Sequence, residues 1–329
     1  MIVLDSHCDT PSLMISGFDL GTGGPGGQVD LHKLEEGGVD ASFFALYTSA
    51  ELSADASTVR ALQMLASIYD ALDKYKDRAA LAVSPDDITA NKARGLLSIL
   101  IGMENGSPIQ KSLPLLRLFH RFGVRYMTLT HNGDNEIADA AMQGNRWGGL
   151  SPFGREVLEE MNRLGMIVDV AHVSDLTFND VIKYSKAPVL STHSCCRALA
   201  SHPRNMTDGM LRDLADKGGV IQINFYPVFL SDAYAKAYSE SGEKAAPRPT
   251  AEDVVRHIKH AVNVAGIEHV GIGTDFDGIE VTPEGLEDVS KLPRVFDLLK
   301  KEGYTEDMIE KVAGGNFLRV FNDVISLSH

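Results

Sequence analysis

The sequence predicts an α/β fold, a (β/α)8 TIM barrel, and three observations predict it. Eight short apolar runs recur along the 329 residues. The stretches between them have helical character, and strand alternating with helix implies a parallel sheet. Six of the eight runs stop at a His, Asp or Glu. No Gly-rich phosphate fingerprint is present, which favours a closed barrel over a doubly wound sheet. Active sites of such barrels are built at the C-terminal ends of the strands. Strands that keep ending in metal ligands and proton carriers therefore mark a catalytic rim.

The elements follow in order. The runs are MIVLDSH (1–7), ASFFALY (41–47), LLSILIGME (96–104), VRYMTLTH (124–131), MIVDVAH (166–172), PVLSTH (188–193), GVIQINFY (219–226) and HVGIGTD (269–275). Residues 53–76 read as one helix, with Leu62, Leu65, Ile68, Tyr69 and Leu72 on one face. Residues 113–122 and 153–164 read as two more, the second opened by Ser151 as N-cap and Pro152 at the first helical position. Helices over 207–217 and 250–264 follow, the latter with a capping-box pattern at Thr250 and Asp253. Segments 305–312 and 316–324 close the chain. Two insertions look irregular, the Gly-rich 17–28 and 231–249. Both follow strands, so both are expected to overhang the rim, a position from which they could act as lids. There is no internal repeat and no linker, so residues 1–329 read as a single barrel domain.

Bulk properties narrow the function. The net charge of −14 argues against nucleic acid and against anionic membrane surfaces, though not against a small anionic substrate. The longest apolar stretches fall far short of the ~18 residues of a membrane span. No basic n-region, apolar core and cleavage site are read at the start, so no secretory signal is expected. Three cysteines, two of them adjacent (Cys195, Cys196), make no disulfide framework, and a reduced cytoplasm fits best.

The rim residues point to a metal. His7 and Asp9 lie two apart at a strand end, and side chains two apart in a strand share a face. Taken alone, Glu104 reads as a solvated loop acid, and a lone strand-end His as a hydrogen-bonded structural residue. His7, Asp9, Glu104, His172 and His193 at four converging strand ends are hard to explain that way, because buried ionisable groups need partners. Zinc takes imidazole and carboxylate together. Five ligands are too many for one tetrahedral catalytic zinc with an open position, whereas two ions sharing one carboxylate fit them all. Two ions about 3.5–4 Å apart hold a bridging hydroxide and polarise a carbonyl. Asp275, in GIGTDFDG, reads as a proton shuttle, with a sixth ligand or a turn residue as alternatives.

At these residues the chain resembles the membrane (renal) dipeptidases, peptidase family M19, and specifically their soluble bacterial branch. The resemblance rests on DSHCDTP (5–11), VDLHKLEEGGVDASFFALY (29–47), GMENG (102–106), LTHN (129–132) and SPFGREVLEEMNRLGMIVDVAHVSD (151–175). It continues through STHSCCRAL (191–199), HPRNMTD (202–208), GTDFDG (273–278) and GGNFLRVF (314–321). It implies a metal-dependent, amidohydrolase-like barrel with two zinc ions per chain. His7 and Asp9 then match the pair on the first zinc, Glu104 the bridging glutamate, and His172 and His193 the histidines on the second. His131 matches the histidine that stabilises the scissile carbonyl oxygen. Arg204 matches the arginine that pairs with the substrate's C-terminal carboxylate, and Asp275 the substrate-facing general acid/base. Without the resemblance, Arg204 reads as a surface salt bridge, although its planar fork suits a carboxylate. Cys195 and Cys196 read as packing residues, with metal contact as the alternative.

The expectation is a binuclear zinc dipeptidase in which a bridging hydroxide, held with Glu104 between the ions, attacks a small dipeptide, L-Xaa–D-Xaa included. The same barrel admits another amidohydrolase reaction, on a lactam or an N-acyl amino acid. It also admits a catalytically silent metal- or ligand-binding barrel, and a homodimer is compatible with all of these.

Overall fold

The computed structural model describes residues 1–328. Its strands are β1 (Leu4–Cys8), β2 (Ala41–Tyr47), β3 (Ala79–Leu81), β4 (Leu97–Glu104), β5 (Val124–Thr128), β6 (Ile167–Asp169), β7 (Leu190–Ser194), β8 (Val220–Ile223) and β9 (Val270–Ile272). Eight of them run around a parallel barrel in the order β1-β2-β4-β5-β6-β7-β8-β9. The seam between β9 and β1 is closed just past the strand ends. There the Asp275 N–H donates to the His7 carbonyl at 3.1 Å, and the Asp9 N–H donates to the Phe276 carbonyl at 2.8 Å. All eight predicted runs are barrel strands. The ninth strand, β3, was not expected. It pairs Ala79 with Leu97 and Leu81 with Ile99, along the edge of β4 that β5 takes over at Ile101. Three residues of low bulk carry too little pattern to be read alone.

The helices are α1 (Thr10–Met14), α2 (Leu31–Glu36), α3 (Ala54–Lys74), α4 (Pro85–Ala93), α5 (Leu113–Arg121), α6 (Pro152–Leu164), α7 (Asp175–Tyr184), α8 (Asp208–Asp216), α9 (Pro227–Leu230), α10 (Asp232–Ser241), α11 (Ala251–Ala265), α12 (Pro293–Lys301), α13 (Glu306–Glu310) and α14 (Asn316–Ser326). Hydroxyl caps start most of the barrel helices. Ser53, Ser84, Ser112, Ser151, Ser174, Thr207 and Thr305 each accept a backbone N–H of the first turn. Helix α4, PDDITANKA, escaped the reading because it buries little beyond Ile88 and Asn91, so it has almost no apolar stripe.

Three expectations are corrected. The buried stripe of α3 is Ala61, Met64, Leu65, Ile68 and Leu72, while Leu62 and Tyr69 are 40% and 38% exposed. Tyr69 sits at the stripe's edge and donates its hydroxyl to the Phe122 carbonyl at 3.0 Å. Segment 231–249 is not irregular, because it contains α10, capped by Ser231. Segment 17–28 lines no part of the central cavity and only backs its wall, where Gln28 bonds Asp277 and Ile279. Its Asp19 binds Lys74 and Tyr75 at the far end of α3.

The barrel interior below the rim is filled with apolar side chains. Leu4, Phe43, Leu100, Tyr126, Ile167, Leu190 and Val220 pack there against Phe317, Val320, Phe321 and Val324 of α14, which closes the N-terminal end. Strands buried on both faces read as continuous apolar runs, which is why they were legible. An aromatic column rises through this floor, with Phe317 and Phe43 centroids 5.1 Å apart and Phe43 and Tyr126 centroids 5.0 Å apart.

Candidate metal centre and substrate cavity

The top of that column holds the first candidate ligand, His7. The Tyr126 hydroxyl lies 2.8 Å from His7 Nδ1, which turns His7 Nε2 towards the rim. The phenol reaches this far because β4 carries Gly102 beside it. A Cβ there would sit 2.1 Å from the tyrosine ring. A buried tyrosine hydroxyl needs a partner, and this one orients a ligand. The other two rings are held in the same way. His172 Nδ1 lies 3.0 Å from Asn132 Oδ1, and His193 Nδ1 lies 2.9 Å from the Thr192 hydroxyl. That hydroxyl donates in turn to the buried Asp169 carboxylate at 2.7 Å. Each imidazole thus spends one nitrogen on the protein and offers the other to the centre, the arrangement expected of metal-ligating histidines.

The free nitrogens and the carboxylates converge around Glu104. Its Oε1 lies 2.9 Å from His172 Nε2 and 3.5 Å from His193 Nε2. Its Oε2 lies 3.5 Å from His7 Nε2, which is 3.4 Å from Asp9 Oδ2 and 3.9 Å from Asp275 Oδ1. Three ligand groups of cation-holding size result: His7, Glu104 and His193; Glu104, His131 and His172; His7, Asp9 and Asp275. Every residue expected at the centre is therefore present, and His131 joins it. His7 Nε2 and Asp9 Oδ1 are buried without a hydrogen-bond partner. Orphaned polar atoms of this kind are costly unless a cation takes them up, so the donor set fits a metal.

The side chains set opposing pKa shifts. Burial raises Asp9 to about 7, with the Glu104 charge adding to the effect, and burial raises Asp275 to about 6. Burial opposes charge on His7, yet the Glu104 and Asp9 carboxylates outweigh it and hold this imidazole well above its usual range. Burial, and behind it the charges of Arg204 and His7 respectively, hold His172 and His193 well below theirs. Burial also lowers His131.

Above the centre lies a cavity of about 740 Å³, lined by Asp9, Glu104, His131, His172, Arg204 and Asp275, with Tyr47 and Arg60 on one wall and Tyr226, Phe229 and Tyr238 on another. Helix α10 contributes Ala235, Tyr238 and Ser239, so this insertion does overhang the rim. Arg204 is 4% exposed and has no carboxylate partner. Its terminal nitrogens meet only the Ser194 hydroxyl at 3.4 Å and the His193 carbonyl at 3.1 Å, and its face stacks on Phe229. The surface salt bridge considered for it is absent among the described residues. Cys195 and Cys196 are buried, with Sγ contacts to the Asn224 and His257 carbonyls, as packing residues should be.

Backbone strain collects here too. Of the five non-glycine residues in the left-handed region among the described residues, Asn105, His172, Asp275 and Asp277 lie at strand ends around the centre. Such conformations persist where the surroundings over-determine them, often at functional sites. Four contributors were missed by the sequence reading: Tyr126, Asn132, Asp169 and Asn224, the last donating to Asp275 Oδ2 at 2.8 Å. Asn224 was findable, because it ends β8 as the ligands end theirs. Tyr126 sits mid-strand and gave no signal.

The comparisons agree with this geometry. The model of the membrane dipeptidase family, peptidase family M19, matches residues 1–329. The chain belongs to that family. As a member it is a metallo-dipeptidase, a hydrolase of peptide bonds. It is 34% identical to an uncharacterized dipeptidase of Schizosaccharomyces pombe, over 99% of this chain and 82% of the relative. It is 36% identical to dipeptidase aclJ of Aspergillus oryzae, over 91% and 70% of the two chains. Among solved structures, the probable dipeptidase PvdM of Pseudomonas aeruginosa superposes with a TM-score of 0.91 at 26% identity, covering 100% of this chain and 96% of that one. A metallopeptidase of Rhodobacter sphaeroides, solved with a phosphinate mimic of the dipeptide L-Ala-D-Ala, gives 0.90 at 25% identity over 98% and 99%.

Proposed function

We propose that this dipeptidase is a binuclear zinc enzyme acting on free dipeptides, L-Xaa–D-Xaa included. His7 and Asp9 would hold one ion, His172 and His193 the other, and Glu104 would bridge them through its two oxygens, each of which faces a different ligand set. Bound there, the zinc pair supplies a Lewis acid for the peptide carbonyl and an activated water as nucleophile. The observation that carries the substrate reading is Arg204, a buried guanidinium without an anion in the wall of the same cavity. A free C-terminal carboxylate satisfies it in a planar two-point contact.

His131, half-buried in the cavity wall, donates an N–H to the carbonyl oxygen as that oxygen gains charge. Asp275 takes the proton of the attacking water and passes it to the leaving amine, while Asn224 pins its other oxygen. The L-Xaa–D-Xaa scope is supported by the Rhodobacter sphaeroides relative solved with the L-Ala-D-Ala mimic. Buried, free cysteines fit the reducing cytoplasm as the working compartment.

The test pairs a mutation with a substrate change. A charge-assisted hydrogen bond contributes about 1.5–3 kcal/mol, so Arg204→Lys should lose roughly ten- to hundredfold in kcat/KM on a free dipeptide. On the dipeptide amide that loss should shrink, because the same contact cannot be lost twice. Equal cleavage of acid and amide by the wild type, or losses that simply multiply, would remove Arg204 as the anchor. The lactam or N-acyl amino acid reading would then gain.

A further inference from the structure

The cavity holds a second guanidinium for which the dipeptidase reading has no use. Arg60, on the first turns of α3, lines the cavity beside Tyr47 and is half-buried. Its Nε donates to the Tyr47 carbonyl at 3.3 Å, which ties the stem to the end of β2. Among the described residues its two terminal nitrogens have no hydrogen-bond partner, and no carboxylate lies within ion-pair distance. Four of the cavity's five acids are engaged elsewhere, and the fifth, the exposed Glu280, faces Tyr226 rather than Arg60. Asp9, Glu104 and Asp275 surround His7 at the centre. Asp277 accepts from Thr10 at 2.7 Å and from the Gln28 N–H at 2.5 Å.

The topology fixes where Arg60 stands relative to the proposed carboxylate anchor. It follows β2, and Arg204 follows β7. In the barrel order β1-β2-β4-β5-β6-β7-β8-β9 these strands are four steps apart in a ring of eight, so they face each other across the mouth. The centre around Glu104, at the end of β4 and deep between them, lies on the path from one guanidinium to the other. A dipeptide whose C-terminal carboxylate sits on Arg204, with its peptide bond over the centre, directs its N-terminal residue towards the β2 wall.

We propose that Arg60 reads the side chain of the N-terminal residue and selects an acidic one, so that the preferred substrates are L-Glu–Xaa and L-Asp–Xaa dipeptides. This rests on the dipeptidase reading and on Arg204 as the carboxylate anchor. The guanidinium offers a planar fork to the side-chain carboxylate, fixed at its stem by Tyr47 and open at its tip. An N-terminal lysine side chain meets the same charge and is rejected, so discrimination comes from repulsion as well as attraction.

The experiment uses the zinc-loaded enzyme with L-Glu–L-Ala, L-Gln–L-Ala and L-Lys–L-Ala, which share one C-terminal residue. Glutamine is the neutral isostere of glutamate, so the Glu:Gln ratio of kcat/KM isolates the charge. The expected ratio is about ten in the wild type, the value of a partly exposed charge-assisted contact, with Lys the poorest of the three. Arg60→Gln should bring the Glu:Gln ratio to about one, and Arg60→Glu should place Lys above Glu. Binding of phosphinate dipeptide mimics carrying Glu or Gln at the N-terminal position, measured by calorimetry, should show the same ratio without turnover. A wild-type ratio near one, or a ratio unchanged in Arg60→Gln, overturns the assignment. If none of the three dipeptides is hydrolysed, the dipeptidase reading fails first. The calorimetric ratio then decides on Arg60 alone, and equal binding of the two mimics overturns it.

Discussion

The two halves of the metal centre offer a cation different things. On the β1 side one imidazole, His7, faces the carboxylates of Asp9, Glu104 and Asp275, and those charges hold it protonated well above its usual range. On the β6–β7 side two imidazoles, His172 and His193, face a single Glu104 oxygen and are held neutral. Their supports differ as well. His7 rests on a phenol fixed in the aromatic floor, and His193 on a threonine backed by buried Asp169. His172 rests on Asn132, which is exposed. The first half is rich in oxygen donors and the second in nitrogen donors; Glu104 offers one oxygen to each, and the His7 and His193 rings meet at the boundary with centroids 3.9 Å apart. Oxygen-rich sites tolerate harder ions, whereas imidazole favours borderline ones. The halves are therefore expected to differ in affinity, with Glu104 coupling them.

The largest effect should come from cutting that coupling. Glu104→Gln removes the shared charge and should leave at most one of two zinc equivalents, with turnover down by about 10³-fold or more, since a metal contributes several kcal/mol to the transition state. Elemental analysis alongside steady-state rates checks this. Two full equivalents in the variant would mean that the halves are independent.

Asp275→Asn should keep both equivalents and lose ~10²–10⁴-fold in kcat, the usual range for a general acid/base group. Near-normal turnover in a metal-replete variant would remove Asp275 from proton transfer and leave it as part of the oxygen-rich half.

The comparison sharpens further at the supports. Tyr126→Phe removes only the hydroxyl behind His7, and Thr192→Val only the one behind His193. Each should cost about 10–100-fold in affinity for one ion, as loss of a supporting hydrogen bond to a ligand does. The two variants should weaken different ions in a chelator competition. Weakening of the same ion by both would break the division into halves.

The smallest effect concerns a histidine that stands behind one half alone. His257 on α11 accepts the Cys196 N–H on Nδ1 at 3.1 Å and faces the Leu230 carbonyl with Nε2 at 3.2 Å, which ties down the chain just after His193. Burial lowers its pKa to about 4, below the ~6.5 of an exposed histidine. The unfolded chain therefore binds the proton first. The stability from neutral His257 is complete above pH ~6.5 and is lost as pH falls towards about 4. Thermal melts between pH 7 and 4 should show a shallower decline in His257→Gln than in the wild type. His120 and His202, which burial also lowers to about 4, add slope of the same sign in both proteins, so the difference between the two melts isolates His257. Parallel slopes would show that His257 does not report on this region.

The barrel and the residues at its rim were legible because their signals are local. A strand buried on both faces must be apolar throughout, and a polar residue that ends it must stand at the rim. His7, Asp9, Glu104, His131, His172, His193 and Asp275 all obey this, and the capped helices after Ser53, Ser151 and Thr207 are equally local. What orients those side chains is not local. Tyr126 and His7 are 119 positions apart, and the phenol reaches its partner only because β4 places Gly102 beside it. Asn224 finds Asp275 across 51 positions, from one strand end to the next. The buried stripe of α3 depended on which way the helix turned against the barrel, which a pattern containing both Leu62 and Ile68 does not decide. The sequence by itself determined which residues stand at the rim, since burial leaves a one-dimensional record along each strand. The tertiary structure alone decided which of them face each other, that Arg204 is buried without a carboxylate and that Arg60 stands across the mouth from it, because those relations depend on the closure of the sheet.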